Sequence, residues 1–135
     1  KNNKENGKLE PYNLYCWTKL CAEKIVSSLN KYAIIRTRFF DKNNLKFKSY
    51  ATDIISSSLE VSRLVEYIKI LSDKDFNGII NIGEERDSNF NKIIKYNSKI
   101  KKCEYKDLIK NIRFTISKDS SMNLSKMKII INSNV

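Results

Sequence analysis

A tyrosine and a lysine lie four residues apart near the start of the chain, in the sequence Tyr15-Cys-Trp-Thr-Lys19. On an α-helix, side chains four positions apart share a face, so the phenol and the ammonium can reach one substrate together. A free tyrosine has a pKa of about 10, and a neighbouring ammonium lowers that value by favouring the phenolate. The spacing therefore permits acid–base chemistry. A chain rich in lysine and tyrosine also contains such pairs by chance, so an ordinary pair on a helix surface stays an alternative.

The composition excludes several catalytic mechanisms. None of the 135 residues is histidine, which removes the Ser-His-Asp and Cys-His nucleophiles, the imidazole general base and histidine-ligated zinc. The cysteines Cys16, Cys21 and Cys103 are odd in number and no two have CxxC spacing, so we expect neither a disulfide framework nor a metal site. Catalysis by this chain would therefore use tyrosine, lysine, a carboxylate or a cysteine.

The chain is strongly basic, with 26 Lys and Arg against 15 Asp and Glu and a formal net charge of +11. Such an excess is typical of proteins that neutralise nucleic-acid phosphates. Here the charges are spread along the chain, and lysine accompanies abundant asparagine and isoleucine, as an AT-rich coding bias produces. We therefore do not expect a nucleic-acid partner, and we interpret the lysine-rich residues 92–110 as a solvated face.

The sequence also predicts the compartment. No segment approaches the ~20 apolar residues of a membrane span, and no signal-peptide pattern begins the chain. Together with the cysteine usage this favours the cytoplasm and no membrane partner. The first residue is Lys1, and we expect a fragment, a processed chain or one part of a split gene.

Helices and strands alternate in the hydrophobic pattern. Residues 13–30 form a helix that carries the Tyr–Lys pair, with Pro11 just before it and Asn13 as its N-cap. Further helices are predicted at residues 60–71, after a cluster of three serines, and at 88–97, capped by Ser88. Strands are predicted at 32–40, 76–83, 101–105 and 113–117, and a short helix or strand at 124–131. This order predicts an α/β fold with parallel pairing, preceded at residues 1–10 by a polar loop or a disordered leader.

The order of several short motifs gives the Tyr–Lys pair a context. Pro11, Asn13, Tyr15, Lys19 and Glu23 precede a strand that ends in Ile35-Arg36-Thr37. This order resembles the extended short-chain dehydrogenase/reductase family, in which P-x-N-x-Y-x-x-[ST]-K-x-x-x-E leads into [IL]-[IL]-R.

The resemblance continues downstream and is closest to the branch of dTDP-4-dehydrorhamnose reductase and related nucleotide-sugar reductases and epimerases. It rests on three further segments, which begin at Thr52-Asp53, at Gly78-Ile-Ile-Asn-Ile-Gly83 and at Asp119-Ser-Ser-Met-Asn-Leu-Ser-Lys126. The match covers residues 11 to 128. It implies that residues 11–135 are the C-terminal part of a Rossmann-like enzyme, with the YxxxK helix and the substrate-binding portion.

One part of the family pattern is absent from this chain. The Gly-rich G-x-G-x-x-G turn, whose backbone amides hold a dinucleotide pyrophosphate, has no counterpart among its three glycines. The catalytic Ser or Thr that precedes the YxxxK helix is also missing. The resemblance therefore implies that NAD or NADP binds mainly to an N-terminal half that this chain lacks, and that this half is its partner.

The resemblance also implies a role for each site residue. Tyr15 would protonate the alkoxide that forms when nicotinamide delivers hydride to the ketone of a 4-keto-6-deoxy nucleotide sugar, and Lys19 would hold the nicotinamide ribose. Arg36 and Thr37 would contact the cofactor, although Arg36 could instead steady the end of its strand. Phe39, Asp53 and Ser57 would contact the substrate; the alternatives are a core position for Phe39 and turn or cap roles for the other two.

Two other functions stay open. One is a non-catalytic binding or regulatory module that kept the fold and lost the cofactor half, and the other is a basic nucleic-acid-binding module. A homodimer is left open as well. The sugar, the nucleotide and the choice of NADH or NADPH are not fixed by these residues, because an acidic or basic residue in the missing half sets the cofactor preference.

Overall fold

A computed structural model of the chain describes residues 4–7, 11, 13–110 and 116–132. Its helices are α1 (Leu14–Val26), α2 (Val61–Asp73), α3 (Asn89–Ile94), α4 (Tyr105–Ile109) and α5 (Ser125–Asn132). Its strands are β1 (Ala33–Thr37), β2 (Phe39–Phe40), β3 (Ser49–Ala51), β4 (Ile55–Ser56), β5 (Leu59–Glu60), β6 (Gly78–Ile82), β7 (Asp87–Ser88), β8 (Lys101–Cys103) and β9 (Asp119–Ser120). Among these residues, no helix is long and apolar enough to cross a membrane.

Most of the strand pairing is parallel, which confirms the predicted α/β class. The longest pair is β1 with β6, in register from Ala33 opposite Gly78 to Thr37 opposite Ile82. The pairs β2–β5 and β3–β8 are also parallel. In the remaining sheet, β4 lies between β9, which is parallel to it, and β7, which is antiparallel.

The main core lies between β6 and the helices α2 and α5. It is formed by the buried side chains of Leu59, Leu64, Leu71, Ile80, Ile82, Leu124 and Met127. The apolar stripe predicted for the second helix contributes Leu64 and Leu71 to it. A smaller cluster of Phe90, Ile93 and Ile100 packs against Phe40 and Tyr50.

The three predicted helix starts are confirmed to within one residue, although the cap of the second helix is not one of the serines. The Oδ1 atom of Asn13 accepts a hydrogen bond from the Cys16 amide at 2.8 Å, and the Oγ atom of Ser88 accepts one from the Asn91 amide at 3.1 Å. Helix α2 instead begins after Glu60, whose carboxylate accepts from the Ser62 amide. The serine cluster at 56–58 is buried at and beside β4, because its hydroxyls hydrogen-bond within the fold instead of capping the helix.

The strand predicted at residues 32–40 is divided at Arg38. Residues before it pair with β6, whereas the two after it pair with β5, and the Arg38 carbonyl accepts from the Leu59 amide at 3.0 Å. The element predicted at 124–131 is helix α5. Helix α4 was not expected, and most of the strand predicted at 113–117 lies outside the described residues.

Residues 4–7, the described part of the polar N-terminal segment, hydrogen-bond to the central strands. Residues 4–7 form a turn in which the Gly7 amide donates to the Lys4 carbonyl. Glu5 accepts hydrogen bonds from Arg36 at 2.9 Å and from the Asn81 amide at 3.2 Å. Arg36 and Asn81 are paired positions of β1 and β6, so this turn lies against the central pair of strands.

The chain makes one very close approach after β6. A Cβ atom at Gly83 would lie 2.3 Å from the carbonyl oxygen of Ser57. Only glycine fits there, and the approach brings the end of β6 against the buried serine segment.

Candidate functional site

Tyr15 and Lys19 share one face of α1, as their spacing predicts. The Nζ atom of Lys19 lies 5.2 Å from the centroid of the Tyr15 ring. Tyr15 is 68% exposed, and its hydroxyl has no hydrogen-bond partner in the described part of the chain. The pair is therefore preorganised as a phenol beside a cation and is open to a ligand.

Glu23 connects α1 to the sheet. Its carboxylate accepts from the Nη2 atom of Arg36 at 2.7 Å and from the Nε atom at 2.9 and 3.1 Å. Both side chains are largely buried, at 21% and 17% exposure. A bidentate pair of this kind fixes the guanidinium plane as well as the charge. Arg36 thus steadies the strand end, the alternative to cofactor contact; its assignment to the cofactor stays a prediction.

Thr37 is the last residue of β1 and carries an unsatisfied polar side chain. Its Oγ1 atom is buried and has no hydrogen-bond partner among the described residues. An orphaned buried hydroxyl costs about 1–3 kcal/mol. Ligands of parallel α/β sheets bind beyond the carboxyl ends of the strands, where this hydroxyl lies.

Phe39 lines a cavity of about 310 Å³ just beyond β1. Its ring is more than half exposed, so it is not a core aromatic. Tyr50 and the hydroxyl-bearing Ser58 also line the cavity, and burial raises the pKa of Tyr50. Ser58 belongs to a hydroxyl–amide network, since the Ser56 Oγ atom lies 3.0 Å from the Ser58 Oγ atom and donates to Asn89 at 2.7 Å. This network was not anticipated from the sequence, where the serines suggest only a helix start.

The other two predicted substrate residues have structural partners. Ser57 is 1% exposed, and its Oγ atom accepts from the Met122 amide at 3.1 Å. Asp53 is exposed, accepts from the Tyr105 amide at 2.7 Å and lies 3.5 Å from the Lys118 Nζ atom. These contacts match the turn and cap alternatives; contact with substrate stays a prediction for both.

Helix α1 is apolar on a face that nothing in the described chain covers. Leu14, Trp17 and Ile25 fall at i, i+3 and i+11, so they lie on one side of the helix, and each is more than half exposed. The half-buried residues of α1, such as Leu20 and Glu23, lie on the other side. An exposed apolar face of this kind is typical of a surface that another element or chain covers. Cys21 lies on the exposed side too.

Comparison with known proteins bears on the fold. No family model matches the chain, and no curated protein matches it. Solved structures do match. A dTDP-4-dehydrorhamnose reductase from Bacillus anthracis, in complex with NADP, superposes with a TM-score of 0.77 at 22% identity, over 95% of this chain and 53% of its own.

The chain has the fold of part of a dTDP-4-dehydrorhamnose reductase. A hypothetical dTDP-4-dehydrorhamnose reductase from Sulfolobus tokodaii gives a TM-score of 0.74 at 24% identity, over 97% of this chain and 53% of its own. The dTDP-4-dehydrorhamnose reductase from Yersinia enterocolitica gives 0.78 at 14% identity, over 97% and 54%. The chain thus spans about half the length of the reductases that it matches, and the fold expected from the motif order is confirmed.

Proposed function

We propose that this chain is the YxxxK and substrate-binding part of an NAD(P)-dependent reductase of 4-keto-6-deoxy nucleotide sugars. The observation that carries the proposal is the exposed Tyr15 phenol beside the Lys19 ammonium, on a chain with the fold of such a reductase. A homologue in complex with NADP makes an NADP-type cofactor the first choice. The proposal assigns residues 11–135 to this part and residues 1–10 to a leader.

The residues present fit one end of a dinucleotide. The orphaned Thr37 hydroxyl and the Lys19 ammonium offer a hydrogen-bonding group and a charge for the nicotinamide ribose. Nothing in the sequence offers a Gly-rich turn for the pyrophosphate. The proposal therefore assigns pyrophosphate binding to a separate half of the enzyme.

The bound cofactor would supply a hydride to the carbonyl carbon. Tyr15 would then donate its phenolic proton to the carbonyl oxygen, so that the ketone becomes a secondary alcohol. Lys19 would hold the cofactor ribose and stabilise the phenolate left on Tyr15. The aromatic and hydroxyl-lined cavity at Phe39 would hold the substrate. The proposal keeps Asp53 and Ser57 as substrate contacts, although neither lines this cavity.

The proposed partner is a half-enzyme that pairs with the free edge of β1. In the described residues, β1 pairs on one side only, with β6. Parallel sheets are normally buried within larger sheets, and an unpaired strand edge is a template for another strand. The N-terminal half of the same enzyme would fill this edge and cover Thr37.

A second copy of the enzyme is the proposed occupant of the apolar face of α1. Leu14, Trp17 and Ile25 face away from the residues that meet the sheet, so strand addition at β1 leaves them exposed. Packing of this face against its equivalent would give a twofold dimer.

A non-catalytic module is the second candidate, because the chain itself has no pyrophosphate-binding turn. Turnover by the completed enzyme separates the two. The polypeptide that joins this chain to its dinucleotide-binding half should oxidise NAD(P)H when given a panel of 4-keto-6-deoxy nucleotide sugars. Binding of these sugars without any turnover would favour the module instead.

A further inference from the structure

A second cavity lies away from the candidate active site. It has a volume of about 490 Å³ and opens between the loop after β6 and the helices α2, α3 and α5. None of the predicted site residues lines it. Its walls combine an apolar floor, formed by Leu124 and Met127, with five cationic side chains against three carboxylates.

Lys92 is the unusual residue of this cavity. It lies on α3 within the stretch predicted to be a solvated face, yet it is only 4% exposed. Its Nζ atom donates one hydrogen bond, to the Glu85 carbonyl at 2.8 Å, and lies 4.0 Å from the Glu84 carboxylate. An ammonium has three N–H donors. The described residues thus leave two donors of a buried cation without an acceptor, an arrangement that is costly unless an anion completes it.

Most of the nearby carboxylates are already engaged. Glu85 pairs with Lys128, and the Oδ1 atom of Asp87 accepts from Asn91 at 2.8 Å and from the Ser88 amide at 2.7 Å. Desolvation lowers the pKa of Lys92, although Glu84 and Asp87 oppose that shift. Lys95 also lines the cavity and forms no ion pair within the described ranges. The spare hydrogen-bond donors at this site therefore belong to Lys92 and Lys95, whose charges face Glu84 and Asp87.

We propose that this cavity binds a phosphate monoester, with its phosphate on Lys92 and Lys95 and its organic part on Leu124 and Met127. Phosphate oxygens match the spare ammonium donors in charge and in hydrogen-bonding capacity. The cavity is larger than a bare phosphate needs, and its apolar floor adds contact area for an attached group. The site is separate from the Tyr15–Lys19 pair, so it does not rest on the proposed reductase activity.

Calorimetric titration with inorganic phosphate and with phenyl phosphate tests the site. We expect both probes to bind the protein, and phenyl phosphate to bind more tightly because of its ring. Lys92→Met removes the ammonium but keeps an unbranched side chain, and it should weaken binding about 10- to 100-fold, the value of a lost hydrogen bond to a charged group. Lys99→Met removes the same charge from an exposed position outside the cavity and should leave the affinity unchanged.

Two results would overturn the proposal: no binding of either probe to the unaltered protein, or an equal loss of affinity in both variants. Tighter binding of inorganic phosphate than of phenyl phosphate would overturn the monoester assignment. A measurement on the unaltered protein tests the site even when Lys92→Met does not fold. Phenyl phosphate should shift the backbone amide resonances of Glu84 and Lys92 in the unaltered protein, and unshifted resonances would contradict the site.

Discussion

Glu23 on α1 and Arg36 on β1 form a bidentate ion pair, with a closest distance of 2.7 Å. The pair fixes the helix that carries Tyr15 and Lys19 to the strand that ends in Thr37. The described contacts therefore place the candidate acid–base groups through a charge pair as well as through packing. This explains how a helix with no fully buried residue keeps its position on the sheet.

Removing the charge of Glu23 should destabilise the protein. Glu23→Gln leaves the Arg36 guanidinium largely buried with a neutral partner, and we expect a loss of about 1–2 kcal/mol in the free energy of unfolding. Asp75→Asn removes a carboxylate from the exposed Lys31–Asp75 pair and is the matched control, with an expected change below about 0.5 kcal/mol. Urea unfolding measures both, and equal effects would contradict a positioning role for Glu23.

The unsatisfied hydroxyl of Thr37 should lower the stability of the isolated chain and should contribute to NADP binding in the completed enzyme. Thr37→Val keeps the shape and removes the unsatisfied group, so the isolated chain should gain about 1 kcal/mol. The completed enzyme should bind NADP more weakly with the same substitution. Thr52→Val, at an exposed threonine, is the control. A Thr37→Val chain that is less stable, or a completed enzyme with unchanged NADP affinity, would count against this role.

Stability should rise at alkaline pH because of Lys92. Burial lowers the pKa of its ammonium from 10.5, so between the lowered value and 10.5 the unfolded chain binds more protons than the native one. The unfolding free energy therefore increases as the pH rises through this window. Below the lowered pKa both states carry the proton, and the full penalty of the buried charge is present.

The comparison with Lys92→Met isolates this contribution from the other lysines. The unfolding free energies of the unaltered protein and of Lys92→Met are measured from pH 7 to pH 10.5. The free energy of the unaltered protein should rise relative to that of the variant, so a variant that is the more stable at neutral pH should lose this advantage as the pH rises. A constant difference over the whole range would show that Lys92 titrates normally.

The apolar face of α1 should control self-association. Trp17→Ser removes the largest side chain of that face and should convert a dimer of the completed enzyme into a monomer, as measured by light scattering. Ile129→Ser changes an apolar residue on α5 that is even more exposed than Trp17 and should leave the mass unchanged. A monomeric unaltered enzyme would contradict the proposed twofold contact.

Short-range sequence patterns predicted the parts of the fold that depend on residues close together in the chain. Asn13 and Ser88 cap their helices because a short polar side chain precedes an apolar run, and the stripe of α2 reports its buried face. The division of one strand at Arg38 was not predictable, since it depends on which distant strand each half meets. The burial of Lys92 has the same origin: it lies in a lysine-rich stretch, and the acceptor that holds it, Glu85, lies seven residues away in a loop.

The candidate site was predictable only in part. The Tyr15–Lys19 geometry follows from helical spacing alone. The partner of Arg36 could have been anticipated from the glutamate four residues after Lys19, but the bidentate contact needs the packing of α1 against β1. The buried hydroxyl network at Ser56 and Ser58 had no sequence signal other than the serines themselves.

Replacement of the Tyr15 hydroxyl tests the central claim most directly. In the enzyme completed by its dinucleotide-binding half, Tyr15→Phe should lower kcat for NADPH-dependent reduction of a 4-keto-6-deoxy nucleotide sugar by about 10²- to 10⁴-fold, the usual contribution of a general acid. Substrate and cofactor affinity should change little, and Tyr32→Phe, a half-buried tyrosine before β1, should retain full turnover. Unchanged turnover in Tyr15→Phe would contradict the account.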